Sequence, residues 1–162
     1  MFIFKTVIWG SIFLFSALII GPWLALQFDT SFTPFYLGPF KYIGAAVFII
    51  GFLFTLYCTA ILFIPGKSRP APYDAGGVFT IAGPYRYVRN PFMLGVIVAL
   101  WGEAVYMERW PMVVYALLLT WVIHFWVVFF EEPALEERFG SEYDEYRKAV
   151  PRWLPHFSRY EG

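Results

Sequence analysis

Charge is scarce in this sequence: only 15% of its 162 residues are Asp, Glu, Lys or Arg, against roughly 25% in ordinary soluble domains. The cations and anions number 12 each and cancel to a formal net charge of zero, which leaves no basic patch or stripe for a nucleic acid. Cysteine is nearly absent, and the single Cys58 excludes an intramolecular disulfide and a cysteine metal cluster. Glycine occurs, but not in a phosphate-cradling pattern. Gly76-Gly77 and Gly83 do not form G-x-G-x-x-G, and no alternation of strands and helices surrounds them, so a soluble dinucleotide-binding domain is excluded. Internal repeats and low-complexity tracts are also lacking, and the chain reads as one domain over 1–162.

What is abundant is apolar: 59% of residues are hydrophobic and 23% aromatic. No Asp, Glu, Lys, Arg or His falls between Lys5 and Asp29, or between Lys41 and Lys67, and each window exceeds the roughly 20 residues that cross a bilayer. A third run, 111–130, carries His124 inside it, and a shorter one, 92–102, spans by including Glu103 and the VYM that follows. The first run is longer than the roughly 7–15 residues of a signal-peptide core and lacks a small-x-small exit before Gln27, so it reads as a span. These runs predict an all-α integral membrane protein with about four transmembrane helices, near 6–26, 42–64, 91–107 and 111–130, and a short helical cytoplasmic C-terminal segment.

With the N-terminus in the cytoplasm, the loop 65–90 and the tail 131–162 share its side. Ten of the Lys and Arg residues then lie inside, leaving Lys41 and Arg109 outside, as the positive-inside rule requires. Both termini are therefore expected in the cytoplasm. The outer stretch DTSFTPFYLGPFK suits a headgroup-level belt. Gly44 and Gly51, a heptad apart beside Ala45, form a small-residue stripe for close helix packing. In EEPALEERFGSEYDEYRKAVPRWLP, Pro133 disfavours helical geometry at Glu132 and predicts a bend there. A short helix is expected to stop at Gly140, and Ser141 with Asp144 resembles a capping box starting another that ends before Pro151.

The segment GPYRYVRNPFMLG, 83–95, combines a helix start with two arginines. Asn90 is a favoured N-cap and Pro91 fits the first turn. Arg86 and Arg89 suit either contact with membrane lipid headgroups or an anion: the unpaired N–H groups and dipole of the helix start, with Arg89 alongside, can hold a carboxylate or phosphate. Glu131-Glu132, adjacent carboxylates ending the last span, repel each other and require cationic or proton-donating company. Salt bridges to Arg86 and Arg89 would satisfy them; so would a bound zwitterion with hydroxyls, its carboxylate at the arginine and its ammonium or ribose at the Glu pair. His124 lies seven residues before Glu131, on about the same face of a continuous helix, and is a candidate for substrate or proton handling as well as for a plain interhelical hydrogen bond.

GPYRYVRNP, then EE about 40 residues later, then FGSEYDEY and VPRWLP, resembles the isoprenylcysteine carboxyl methyltransferase family of integral membrane methyltransferases, with its phospholipid methyltransferase relatives. The resemblance covers roughly residues 76–155. It implies S-adenosylmethionine bound between the last membrane helices and the C-terminal segment, with a lipophilic small molecule or lipid arriving from the bilayer as methyl acceptor. Its Arg-His-Pro element falls on Arg89, Asn90 and Pro91, its Glu-Glu on Glu131 and Glu132, and its tail tyrosines on Tyr143 and Tyr146. Cofactor contacts are accordingly expected from Arg89, Asn90, Pro91, Glu131, Glu132 and Tyr146 and from the neighbouring Tyr85, Arg86 and Tyr87, with Arg89 and Glu132 at the chemistry and His124 toward the substrate. Asn90 replaces the usual His and Phe92-Met93 a region where the family often has Tyr; Asn binds but cannot act as a base. Two other readings are a membrane sterol or enone reductase, with a similar Arg-His-Pro-like element that binds NADPH, and a non-enzymatic accessory protein. Glu-Glu followed by FGSEYDEY favours the methyltransferase.

Overall fold

The computed structural model describes residues 2–28, with side chains from Ile8 onward, 35–61, 81–156 and 160. The end of the second expected span at 62–64, most of the loop 65–90 with Lys67, Arg69 and Gly76-Gly77, the outer residues 29–34 and the tail at 157–159 and 161–162 lie outside the described residues. Within them every regular element is helical: α1 (Phe2–Phe15), α2 (Gly21–Gln27), α3 (Lys41–Ile61), α4 (Pro91–Met107), α5 (Trp110–Trp126), α6 (Glu132–Phe139) and α7 (Ser141–Ala149). Three continuous stretches, Ile8–Gln27, Gly38–Ile61 and Trp110–Phe139, are long and apolar enough to cross a membrane, and Pro91–Met107 is a shorter apolar helix. The chain divides into two compact units, Met1–Phe54 with Gly95–Val122, and Thr55–Leu94 with Ile123–Gly162.

In the first unit the glycine stripe permits backbone contact. A Cβ on Gly44 would stand 2.6 Å from the Tyr106 backbone nitrogen, and Cβ atoms on Gly51 and Gly102 would strike the backbones of Ala99 and Phe48. Small residues at these crossings are what lets membrane helices approach closely. Ala17, Leu18, Leu100, Ala104, Met112 and Ala116 form the buried core beside them. Glu108, in left-handed backbone geometry at φ 55, accepts a hydrogen bond from the Leu37 N–H at 2.6 Å and faces Lys41 at 3.9 Å.

Two π turns interrupt the spans, Ser16–Ile20 between α1 and α2 and Val127–Glu131 between α5 and α6. Each is followed, after one residue, by proline. The Gly21 N–H reaches back five residues to the Ser16 carbonyl, and the Glu132 N–H does the same to Val127. Pro22 and Pro133 come next and have no N–H to give, so the carbonyl five residues before each loses its donor; widening the turn also relieves the clash of the proline ring with the carbonyl four residues back. For Pro22 that carbonyl belongs to Ala17, and the Tyr115 hydroxyl donates to it at 2.9 Å. Gly21 is glycine because the same Tyr115 ring occupies the place of its Cβ.

The second π turn corrects the expectation that Pro133 keeps Glu132 out of helical geometry. Glu132 is helical, at φ −64 and ψ −44, and the helix runs on through Phe139. The capping box is corrected as well. Gly140, at φ 54 and ψ −124, closes α6 and opens α7 by itself, with no side-chain cap bond, and Asp144 bonds Arg147 at 2.9 Å instead. A glycine can adopt that backbone geometry at little cost, so the turn needs no help from Ser141.

Candidate functional site

The site is built within the second unit. The loop entering α4 turns at Gly83 (φ 57), where a Cβ would stand 2.6 Å from Ile61 Cδ1, and a short 3-10 turn, Gly83–Arg86, follows. Tyr85 and Val88 point inward and Tyr87 outward. Arg86 Nε donates to the Ile81 carbonyl at 3.1 Å, which ties the loop to itself. The Asn90 carbonyl accepts the first helical bond from the Leu94 N–H at 2.9 Å, so α4 begins at Pro91 with Asn90 in the N-cap place.

The C-terminal segment after α7 lies against this loop as a strap. The Arg89 N–H donates to the Pro151 carbonyl at 2.9 Å, the His156 N–H to Tyr87 at 2.9 Å and the Tyr160 N–H to Arg86 at 3.2 Å. From α7, the Tyr146 hydroxyl donates to the Tyr85 carbonyl at 2.7 Å. Ile81, Tyr85, Leu135, Tyr143, Tyr146 and Val150 close a small core around these bonds.

Against that core the second π turn delivers both carboxylates, and Glu131 and Glu132 are buried. Glu132 is held by two arginines. Arg152 grips it with both arms of its fork, Nε to Oε1 at 2.7 Å and Nη2 to Oε2 at 2.8 Å, the bidentate geometry that makes such pairs strong. Arg89 Nη1 stands 3.0 Å from Oε1, yet neither its Nη1 nor its Nε makes a hydrogen bond. The contact is one of charge without the alignment of a hydrogen bond. Side-chain exposure is 9% for Arg89 and 7% for Glu132, against 30% for Arg152.

Next to Arg89 lies a cavity of about 10 Å³ lined by Tyr85, Arg89, Asn90, Glu131, Leu135, Tyr143 and Tyr146. Asn90 is 6% exposed, and its Nδ2 has no hydrogen-bond partner. Buried donors without acceptors are costly; here three of them, on Arg89 and Asn90, belong to residues lining one cavity. Tyr143 is buried there too, and burial, reinforced by the nearby Glu132 charge, pushes its phenol up to about 12 although Arg89 pulls the other way.

Of the residues singled out in the sequence, Tyr85, Arg89, Asn90, Glu131, Tyr143 and Tyr146 therefore share the cavity. Pro91 is buried at the start of α4, and Arg86 and Tyr87 stand outside the lining, their backbone carbonyls engaged by the strap. Arg86 uses its Nε on Ile81 rather than on either glutamate. His124 is also outside the lining: its Nδ1 accepts a hydrogen bond from Trp153 Nε1 at 3.0 Å, and the π turn between it and Glu131 advances less per residue than an α turn, so the shared face expected from a continuous α-helix is lost. Sequence reasoning missed Arg152 and Trp153 as partners of Glu132 and His124, because no spacing rule links residues 20 and 29 positions apart.

The donor set fits an anionic or strongly accepting group, such as the carboxylate of an amino-acid moiety, and the Glu131 carboxylate lines the same cavity. The volume is that of a water-sized group, far below the roughly 300–1,000 Å³ of pockets for cofactor-sized ligands. The walls must part for anything larger. The family described as Phospholipid methyltransferase matches residues 39–142, well over half of the chain. A comparison with curated proteins finds no match.

Proposed function

Because the chain belongs to the phospholipid methyltransferase family, we propose that it transfers a methyl group from S-adenosylmethionine to a lipophilic acceptor that enters from the bilayer. The observation that carries this reading is the set of unpartnered donors on Arg89 and Asn90 beside the cavity. In this reading Arg89 and Asn90 receive the cofactor carboxylate, Glu131 faces the ammonium, and Tyr85, Tyr143 and Tyr146 wall the site. Glu132 keeps the arginines in place as their counter-charge. The sulfonium of the cofactor, when bound, supplies an already activated methyl group. The protein therefore has mainly to align the acceptor in line and exclude water. A carboxylate or thiolate acceptor needs no base, and Asn90 offers none.

Placement of the site on the cytoplasmic side, with both termini there, follows from the distribution of Lys and Arg. The family match supports the transferase over an NADPH-dependent reductase, and binding separates the two. Purified protein in lipid nanodiscs is expected to bind S-adenosylmethionine and not NADPH by calorimetry, and to move labelled methyl into a membrane lipid extract. Binding of NADPH alone, or of neither, with no label transferred, would sink this reading.

A further inference from the structure

Two arginines meet one carboxylate at Glu132, and they do not meet it equally. Arg152 takes both oxygens in aligned hydrogen bonds of 2.7 and 2.8 Å. Arg89, more deeply buried, comes within 3.0 Å of Oε1 but leaves Nε and Nη1 without hydrogen bonds. A buried guanidinium beside a buried carboxylate normally turns to form the fork itself, since that is the strongest arrangement open to it. Here the fork is already filled from the strap side. The consequence is a buried cation held by the charge of Glu132 and by a hydrogen bond with the Tyr143 side chain, while its Nε and Nη1 remain without hydrogen bonds beside the cavity.

We infer that Arg152 is a positioning residue: by occupying Glu132 bidentately it prevents Glu132 from closing on Arg89, and so preserves Arg89 Nε and Nη1 as receptors for the α-carboxylate of the cofactor. This inference rests on the methyltransferase reading above. Without Arg152, Glu132 would rotate into a private pair with Arg89, and the anion would have to break that pair to bind. Arg152 touches neither cofactor nor acceptor in this arrangement and acts through the two residues between.

The test compares two probes that share the adenosine and thioether but differ in the amino-acid end: S-adenosylhomocysteine, which carries the α-carboxylate, and 5′-methylthioadenosine, which lacks it. In wild-type protein both are expected to bind. Arg152→Gln should weaken S-adenosylhomocysteine by roughly tenfold or more, the scale of a lost charged hydrogen bond, and leave methylthioadenosine within about twofold, the ordinary effect of a change with no partner at the ligand. Adding Glu132→Gln to Arg152→Gln should recover part of the S-adenosylhomocysteine binding lost in Arg152→Gln, because a neutral amide does not compete for Arg89, although it no longer holds Arg89 by charge. Arg152→Lys, which keeps the charge while losing the fork, should fall between wild type and Arg152→Gln, and it carries the test if Arg152→Gln does not fold. A parallel loss of both probes would mean that Arg152 merely staples the strap and would overturn the inference, as would failure of the double variant to recover. Failure of wild type to bind either probe would instead strike the methyltransferase reading itself.

Discussion

At the scale of single residues, Asn90 and Tyr143 make opposite demands on charge. Asn90 offers an amide N–H to the cavity beside Arg89 and Glu131. Asn90→Ala removes that donor and is expected to weaken S-adenosylhomocysteine by roughly tenfold. Asn90→Asp should weaken it further, because the new carboxylate would pair with Arg89 and repel the incoming anion; calorimetry on the two variants checks the order, and tighter binding by the Asp variant would contradict it. Tyr143 works by staying neutral. Its phenol is pushed from 10.0 to about 12, so above pH 10 the unfolded chain releases a proton that the folded chain retains. The stability contributed by the buried phenol is complete below pH 10 and is lost as pH rises toward about 12. Melting curves at alkaline pH should show that decline in wild type and a shallower one in Tyr143→Phe.

At the scale of elements, the two π turns show why parts of the fold were legible and parts were not. The third apolar run and the Asn90-Pro91 start fix α4 closely, since it begins at Pro91 and ends at Met107 as charge and composition suggest. The proline at 133 misleads because propensity rules treat it as a helix end, while a π turn ahead of it removes both the missing-donor and the steric objection. Propensity rules do not announce a π turn, and at the first of the two the carbonyl freed by Pro22 is answered by a residue far along the chain, Tyr115. Tyr115→Phe should therefore destabilise the protein by about 1–3 kcal/mol through an orphaned carbonyl, measured by denaturation in detergent. Gly140 was legible as a stop but not as a start. With φ at 54 and ψ at −124 and open space around it, Gly140→Ala should cost roughly 1–3 kcal/mol from backbone strain alone, seen as a lowered melting temperature.

At the scale of the whole molecule, the charge distribution along the chain predicts sidedness. In a Cys58→Ala background, a cysteine placed at the exposed Ser141 should react with impermeant thiol reagents only from the cytoplasmic side, and labelling from the other side would reverse the orientation. The candidate site was legible as a pairing of motifs, Arg89-Asn90-Pro91 with Glu131-Glu132, because each leaves a charge near hydrocarbon that the other can answer. Its closing partners were not, since Arg152 and Trp153 approach from a strap whose backbone bonds to 86–89 have no periodicity to read.

That strap also sets an order of events during synthesis. Residues 86–89 and the Glu pair leave the ribosome well before the segment that pairs with them, and Arg152 follows Arg89 by 63 positions, from 152 − 89. At elongation rates of about 5–20 residues per second, Arg152 follows Arg89 by roughly 3–13 s, and through that interval the Arg89 N–H and the Arg86 and Tyr87 carbonyls lack their strap partners. The polar centre is thus finished last, after the helices that carry it have been made. Until then Glu132 and Arg89 are each other's available partners, and the arrival of Arg152 is the event that parts them.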